Sequence, residues 1–267
     1  MLPPQLVYDL ASILKLEDDA FIVGGQALNI WAERYSHVAE LSQYGPYTSK
    51  DIDYFGFRQA AEKLATAIGG SLRIPQPDDA TPQSAIVEAV IDGRKIEIDF
   101  LTHVLGVKSP ALEKSAVELV LQVRTDQGVG TLAVPIMHPL HCLQSRVANV
   151  IRLGRRHDVA LRQLDASPIV LREYISETLD EGEHREATAT LERLFEYLRS
   201  DIDGKQAHKV MRRDPASILD HFAEDPRIDI RYRENTLANM RTQLAERRSA
   251  WGRMKALMGL GRSKPVA

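Results

Sequence analysis

Three aspartates and a diglycine are the residues of this 267-residue chain whose types and spacing best support chemistry. Asp51 and Asp53 flank Ile52. In an extended segment, residues two apart project from one face, which sets the two carboxylates side by side. Each then raises the cost of ionising the other. A divalent cation removes that cost, and Mg²⁺ takes hard oxygen ligands completed by water and substrate phosphates. Asp99 lies on a later alternating segment, Ile96-Glu97-Ile98-Asp99-Phe100. With Asp99 beside the pair there is carboxylate enough for two ions, which together stabilise the attacking and the leaving oxygen of an in-line displacement. Asp51, Asp53 and Asp99 are therefore the expected catalytic and metal-binding residues. Two Mg²⁺ ions are the expected cofactor, with Mn²⁺ as the alternative. Asp99 is the candidate for the metal on the attacking hydroxyl, where it can also accept its proton.

Gly24-Gly25 supplies the complement. The pair follows the short apolar run Ala20-Phe21-Ile22-Val23 and precedes a helical pattern. A strand that leaves through glycines into a helix presents free backbone N–H groups at a positive helix end, where phosphates bind. Gly24, Gly25 and the adjoining Gln26 are the expected nucleotide-binding segment. Lys50, next to the acids, is a phosphate-contact candidate, with a plain surface lysine as the simpler reading. A diglycine alone is usually a turn, and an Asp-x-Asp alone is usually a strand end or a cap. The order of the three features, each on a strand-like segment, is what points to a site.

Several elements must position these residues. Leu6, Leu10, Ile13 and Leu14 have helical spacing, as do Ala27–Tyr35 and Arg58–Ile68. Ile52–Phe57 reads as a strand. Residues 85–91 and 95–101 read as a hairpin joined at Asp92-Gly93, a dipeptide suited to positive φ. More strand is expected between Val117 and Val134. From His138 onward helices are expected around 140–153, 159–164, 169–179, 187–198 and 235–257, with Pro168, Gly204, Pro215 and Pro226 as breaks. The expected organisation is a catalytic domain over residues 1–137 and a helical domain over 138–267.

Composition narrows the class. No window approaches the roughly 20 apolar residues that span a bilayer, and the first residues lack the features of a signal peptide. A cytoplasmic protein with no membrane partner is the expectation. The one cysteine, Cys142, excludes an internal disulfide and a thiolate zinc site, and reads as a buried thiol. His103, His138 and His141 lack the spacing of a metal cluster. Charge is uneven: residues 1–139 hold 11 Lys+Arg against 18 Asp+Glu, and residues 140–267 hold 23 against 19, so the halves carry −7 and +4. The stretch from Arg241 to Ala267 has seven basic residues and one acid. That tail suits a polyanion or, equally, a solvated helix end.

Ile22-Val23-Gly24-Gly25-Gln26-Ala27-Leu28, Ser49-Lys50-Asp51-Ile52-Asp53-Tyr54-Phe55 and Ile96-Glu97-Ile98-Asp99-Phe100 together resemble the signature of the nucleotidyltransferase superfamily related to DNA polymerase beta. The style is similar to the abortive-infection nucleotidyltransferase toxins of bacterial type IV toxin–antitoxin systems. The resemblance implies an α+β fold, a mixed sheet with flanking helices followed by a C-terminal helical domain. It also implies an NTP such as ATP as substrate. The family carries a Lys on a later helix and then an Arg-Asp pair; here Arg146 stands at the Lys position and His157 intervenes between Arg156 and Asp158. On the resemblance Arg146 would neutralise the triphosphate and Asp158 would orient it or the basic residues, although Arg146, Arg152, Arg155 and Arg156 lining a solvated helix face is the simpler reading of the arginines. The implied activity is transfer of a nucleoside monophosphate to a hydroxyl of a tRNA 3′ end, another RNA or a protein, with a cognate antitoxin as a further implied partner. A small-molecule enzyme of the aminoglycoside type, and a non-catalytic nucleotide- or RNA-binding protein, are the alternatives.

Overall fold

Alternation of apolar and polar residues builds the centre of the N-terminal half. The computed structural model describes residues 4–45, 52–76, 78–79, 81–125, 128–249 and 254. Helix α1 is Pro4–Ala11, followed by a 3-10 turn at Leu16–Asp18, strand β1 at Phe21–Val23, α2 at Gly24–Arg34 and the short α3 at Ala39–Ser42. Next come β2 (Ile52–Phe55), α4 (Arg58–Ile68), β3 (Ser71–Arg73), β4 (Gln83–Ile91), β5 (Arg94–Leu101), α5 (Ser109–Lys114), β6 (Val117–Thr125) and β7 (Gly128–Ile136). The seven strands form one mixed sheet in the order β3-β4-β5-β2-β1-β7-β6. β2 and β5 run parallel, and β1 is antiparallel to β2. The protein is α+β.

Residues of one parity fill one sheet face. Ile52 pairs with Ile98 and Tyr54 with Phe100, and all four are fully buried. The Tyr54 and Phe100 rings stack at 5.2 Å, an aromatic pair that adds about 0.5–1.5 kcal/mol beyond its burial. The Tyr54 hydroxyl donates to the Leu10 carbonyl, tying α1 to this face. The opposite parity carries Asp53 and Phe55 on β2 and Asp99 on β5. Asp92 and Gly93 both have positive φ, 50° and 74°, which makes the β4–β5 connection the expected tight hairpin.

Helix α6 is Pro139–Arg152 and α7 is Asp158–Asp180. The residues from 4 into the middle of α7 form one compact unit, ending at Leu171, and the remainder from Arg172 forms a second. The change of character at 138 is therefore not the boundary between the units. α6 packs on α2, and the Trp31 indole of α2 donates to the Met137 carbonyl just ahead of α6, so the first helices of the helical half belong with the sheet. The second unit contains α8 (His184–Ser200), α9 (Ala207–Val210), α10 (Ser217–His221), a π-helical turn at Tyr232–Leu237 and α11 (Ala238–Arg248). The expected helix over 235–257 is described as far as Arg248; its remainder, apart from Met254, lies outside the described residues, as does most of the basic tail.

The break expected at Pro168 does not occur: α7 runs through it. Proline lacks the N–H that would bond the Leu164 carbonyl four residues back. The Ser167 hydroxyl donates to that carbonyl instead, at 2.7 Å. Among the described residues no helix is long and apolar enough to cross a membrane.

Candidate active site

Strand register brings two of the three aspartates together. Asp53 and Asp99 are direct partners on the parallel strands β2 and β5, so their side chains leave the sheet on the same face. Each is half-buried. Asp51 and Lys50 lie outside the described residues. Among the described residues no group of three histidine, cysteine or acidic side chains is placed to hold a metal.

The diglycine sits against the same carboxylates. Val23, the last residue of β1, pairs with Asp53, and α2 starts at the next residue. Gly24 and Gly25 thus form the first turn of the helix rather than a separate exit turn. Gly24 has φ +72°, and a Cβ there would lie 2.6 Å from the Asp53 Oδ2. A β-carbon at Gly24 would occupy the space the carboxylate now fills. The residue ahead of α2, Val23, offers no side-chain cap to the first turn. Gln26 is buried in that turn, and its Oε1 has no hydrogen-bond partner among the described residues.

Asp99 is held by a residue that carries no motif. The Gln83 amide donates to Asp99 Oδ1 at 2.7 Å. Gln83 reaches it because of a β-bulge. Ala85 pairs with Phe100 but Gln83 pairs with Leu101, leaving Ser84 as an extra residue. Without the bulge, Gln83 would project from the other face. The Ser84 hydroxyl fixes the irregularity by donating to the Gly56 and Phe100 carbonyls, at 2.8 and 3.2 Å.

Arg146 joins the site through α6. Burial depresses its pKa, the Asp53 charge acts against that depression, and Arg155 adds to it. Its Nη1 donates to Gln163 Oε1 at 3.1 Å, and its buried Nε has no hydrogen-bond partner among the described residues. Gln163, buried on α7, donates in turn to Asn29 Oδ1 at 3.0 Å and to the Gly25 carbonyl at 3.4 Å. α6 and α7 are thereby pinned to the first turns of α2. Gln163, Asn29 and Gln83 escape sequence reasoning because an amide in a helix or strand resembles any other; the one usable signal is Asn29 following Gly25 by a helical turn.

Asp158 stands on the exposed first turn of α7, and among the described residues no bond links it to the other candidates. The histidines serve structure. The His138 Nδ1 accepts from the Leu140 N–H and caps α6. His141 bridges Gln144 and Ser115, each at 2.7 Å. His103 is exposed beside the Thr102 hydroxyl. Cys142 is fully buried, and desolvation pushes its thiol up to about 12, opposed by Arg146. It is no nucleophile in the folded chain.

The site is thus a pair of neighbouring carboxylates, a glycine helix start packed against one of them, and an arginine within electrostatic reach. Two carboxylates on adjacent strands fit a hard divalent cation whose other ligands are water and phosphate oxygens. Comparison with known proteins finds no match to any protein family, to any curated protein or to any solved structure.

Proposed function

We propose that the chain is a metal-dependent nucleotidyltransferase with the superfamily's fold, moving an NMP from an NTP such as ATP to an acceptor hydroxyl. The observation that carries this is the parallel pairing of Asp53 with Asp99 beside the Gly24 turn. The acceptor oxygen attacks the α-phosphorus, the bond from that phosphorus to the bridging oxygen breaks, and pyrophosphate leaves. Mg²⁺ held by Asp53 and Asp99, with Asp51 as the third ligand, would neutralise phosphate oxygens and acidify the acceptor hydroxyl. Asp99 takes the hydroxyl proton, and Gln83 orients the carboxylate for it. The α2 N–H groups and Arg146 face the triphosphate. In this reading the acceptor is an RNA end or a protein, and the protein acts as a toxin held by an antitoxin.

A second acceptor class is favoured by one feature. A cavity of about 230 Å³ lies along the same sheet face, where Phe21 and Phe55 stack at 5.0 Å and Phe57 is half exposed. Asp19 and Glu113 rim it. Aromatic faces with carboxylates suit a cationic small molecule of the aminoglycoside kind.

The test is incubation with each α-labelled NTP and Mg²⁺, with total tRNA, the protein alone or an aminoglycoside as acceptor. Asp53→Ala and Asp99→Ala should each lower label transfer by more than 100-fold, beyond the roughly 10–100-fold that losing an outer partner of a metal ligand costs. Undiminished transfer by the double variant overturns the mechanism.

A further inference from the structure

We infer that the C-terminal unit carries a docking groove for single-stranded RNA, lined by Lys205, Lys209 and Arg247. A cavity of about 300 Å³ opens between the segment ahead of and within α9 and the last turn of α11. Its floor is Leu198 and Leu244, and the rest of its lining is basic: Lys205, His208 and Lys209 on one side, Arg247 and Arg248 on the other.

Backbone packing creates the groove. A Cβ at Gly204 would fall 2.1 Å from the Tyr197 carbonyl, so only glycine lets this segment lie against the end of α8. That contact carries Lys205 over Leu198. Lys205 lies in a 3-10 turn at Gly204–Gln206 and Lys209 in α9, and both line the cavity. Asp201 and Asp214 are already engaged, while Glu246 beside Arg247 is exposed. Asp201 Oδ1 accepts the Asp203 and Gly204 N–H groups at 2.8 and 3.2 Å, and Asp203 is buried. Asp214 pairs with Arg248, and Arg247 donates to the Arg199 carbonyl. Neither Lys205 nor Lys209 has an ion pair among the described residues.

Two cationic rims match a polynucleotide strand, with phosphates against the rims, while Leu198 and Leu244, 2% and 3% exposed, close the floor beneath them. No aromatic ring lines the groove among the described residues, so base stacking contributes little. Binding is electrostatic, sequence-tolerant and salt-dependent. RNA, rather than another polyanion, is chosen because the proposed reaction also uses an RNA acceptor; to that extent the inference rests on that reading.

The test is fluorescence anisotropy of the full chain with a labelled mixed-sequence 20-nucleotide RNA, without NTP, between 50 and 300 mM salt. Lys205→Glu/Lys209→Glu should weaken binding at least about 10-fold at low salt and reduce the slope of log K against log salt by roughly 1.4, two single-strand contacts at about 0.7 each. Lys205→Gln/Lys209→Gln should do the same more mildly if the charge reversal does not fold. Arg58→Glu, on α4, should change neither quantity. Unaltered binding by both lysine variants, a DNA strand bound 10-fold more tightly than RNA, or displacement of RNA by polyglutamate at equal charge concentration each overturns the assignment. Asp53→Ala/Asp99→Ala should bind RNA as the parent does, so loss of the transfer reading leaves the groove standing, and the reverse holds for the lysine variants.

Discussion

At the scale of single residues, Gly24 separates what the fold needs from what the site needs. Its φ of +72° is left-handed, and forcing an L-residue there costs about 1–2 kcal/mol. The atom a methyl group would strike is Oδ2 of Asp53, the movable end of a side chain, not backbone. The collision is therefore relieved by turning the carboxylate, at small cost to stability and large cost to geometry. Gly24→Ala should lower the melting temperature by only a few degrees, yet weaken Mn²⁺ binding measured by titration calorimetry at least 10-fold. A variant with unchanged cation affinity would show that Asp53 is not a ligand. Gly25→Ala meets a different obstacle, the Gln163 amide at 2.9 Å, and so acts through the bond to Arg146.

Among the elements, α7 is the one whose continuity has a local cause. Pro168 leaves the Leu164 carbonyl without its usual donor, and the buried Ser167 hydroxyl supplies one. Ser167→Ala should then cost about 1–3 kcal/mol, the penalty of an unsatisfied buried acceptor. Chemical denaturation measures it, and a loss below 0.5 kcal/mol would mean the helix tolerates the vacancy by bending. This compensation explains a limit of the sequence. Hydrophobic period and turn residues made β1, β2, α4 and the β4–β5 hairpin legible, because each is specified within its own few residues; between Val117 and Val134 they showed strand but not its pairing. Continuity through Pro168 depends on which carbonyl a neighbouring hydroxyl faces. In the same way, the Asp53–Asp99 pairing could be anticipated from two alternating segments. The bulge at Ser84 that turns Gln83 towards Asp99 could not, since it is a property of the pairing and not of either strand. The short helices α9 and α10 show no hydrophobic period, being a single turn or little more.

At the scale of the whole molecule, charge and pH act unequally on the two halves. The C-terminal half starts from a net positive charge, so protonating its carboxylates leaves its cations to repel one another. Within the C-terminal unit Arg227 is the principal clamp. It donates to Asp225 Oδ2 and Asp180 Oδ1, both at 2.6 Å, and to the Ser176 carbonyl at 3.1 Å. The hydrogen bond from Arg227 holds the Asp225 carboxyl below the ordinary aspartate range, outweighing desolvation. A depressed native pKa means the unfolded chain takes up the proton first. The stabilisation is therefore complete above the unfolded value of about 3.9 and drains away as pH falls through the native value. Asp225→Asn keeps the shape and a neutral bond but removes the charge. The variant should be less stable at pH 7 by about 1 kcal/mol, the difference between a charged and a neutral hydrogen bond. Stability curves of parent and variant from pH 7 to pH 2, followed by circular dichroism, should stay separated above pH 4 and converge below it. Curves that remain parallel to the lowest pH would assign the loss to packing, and the acid lability of this half would then have to come from its other carboxylates.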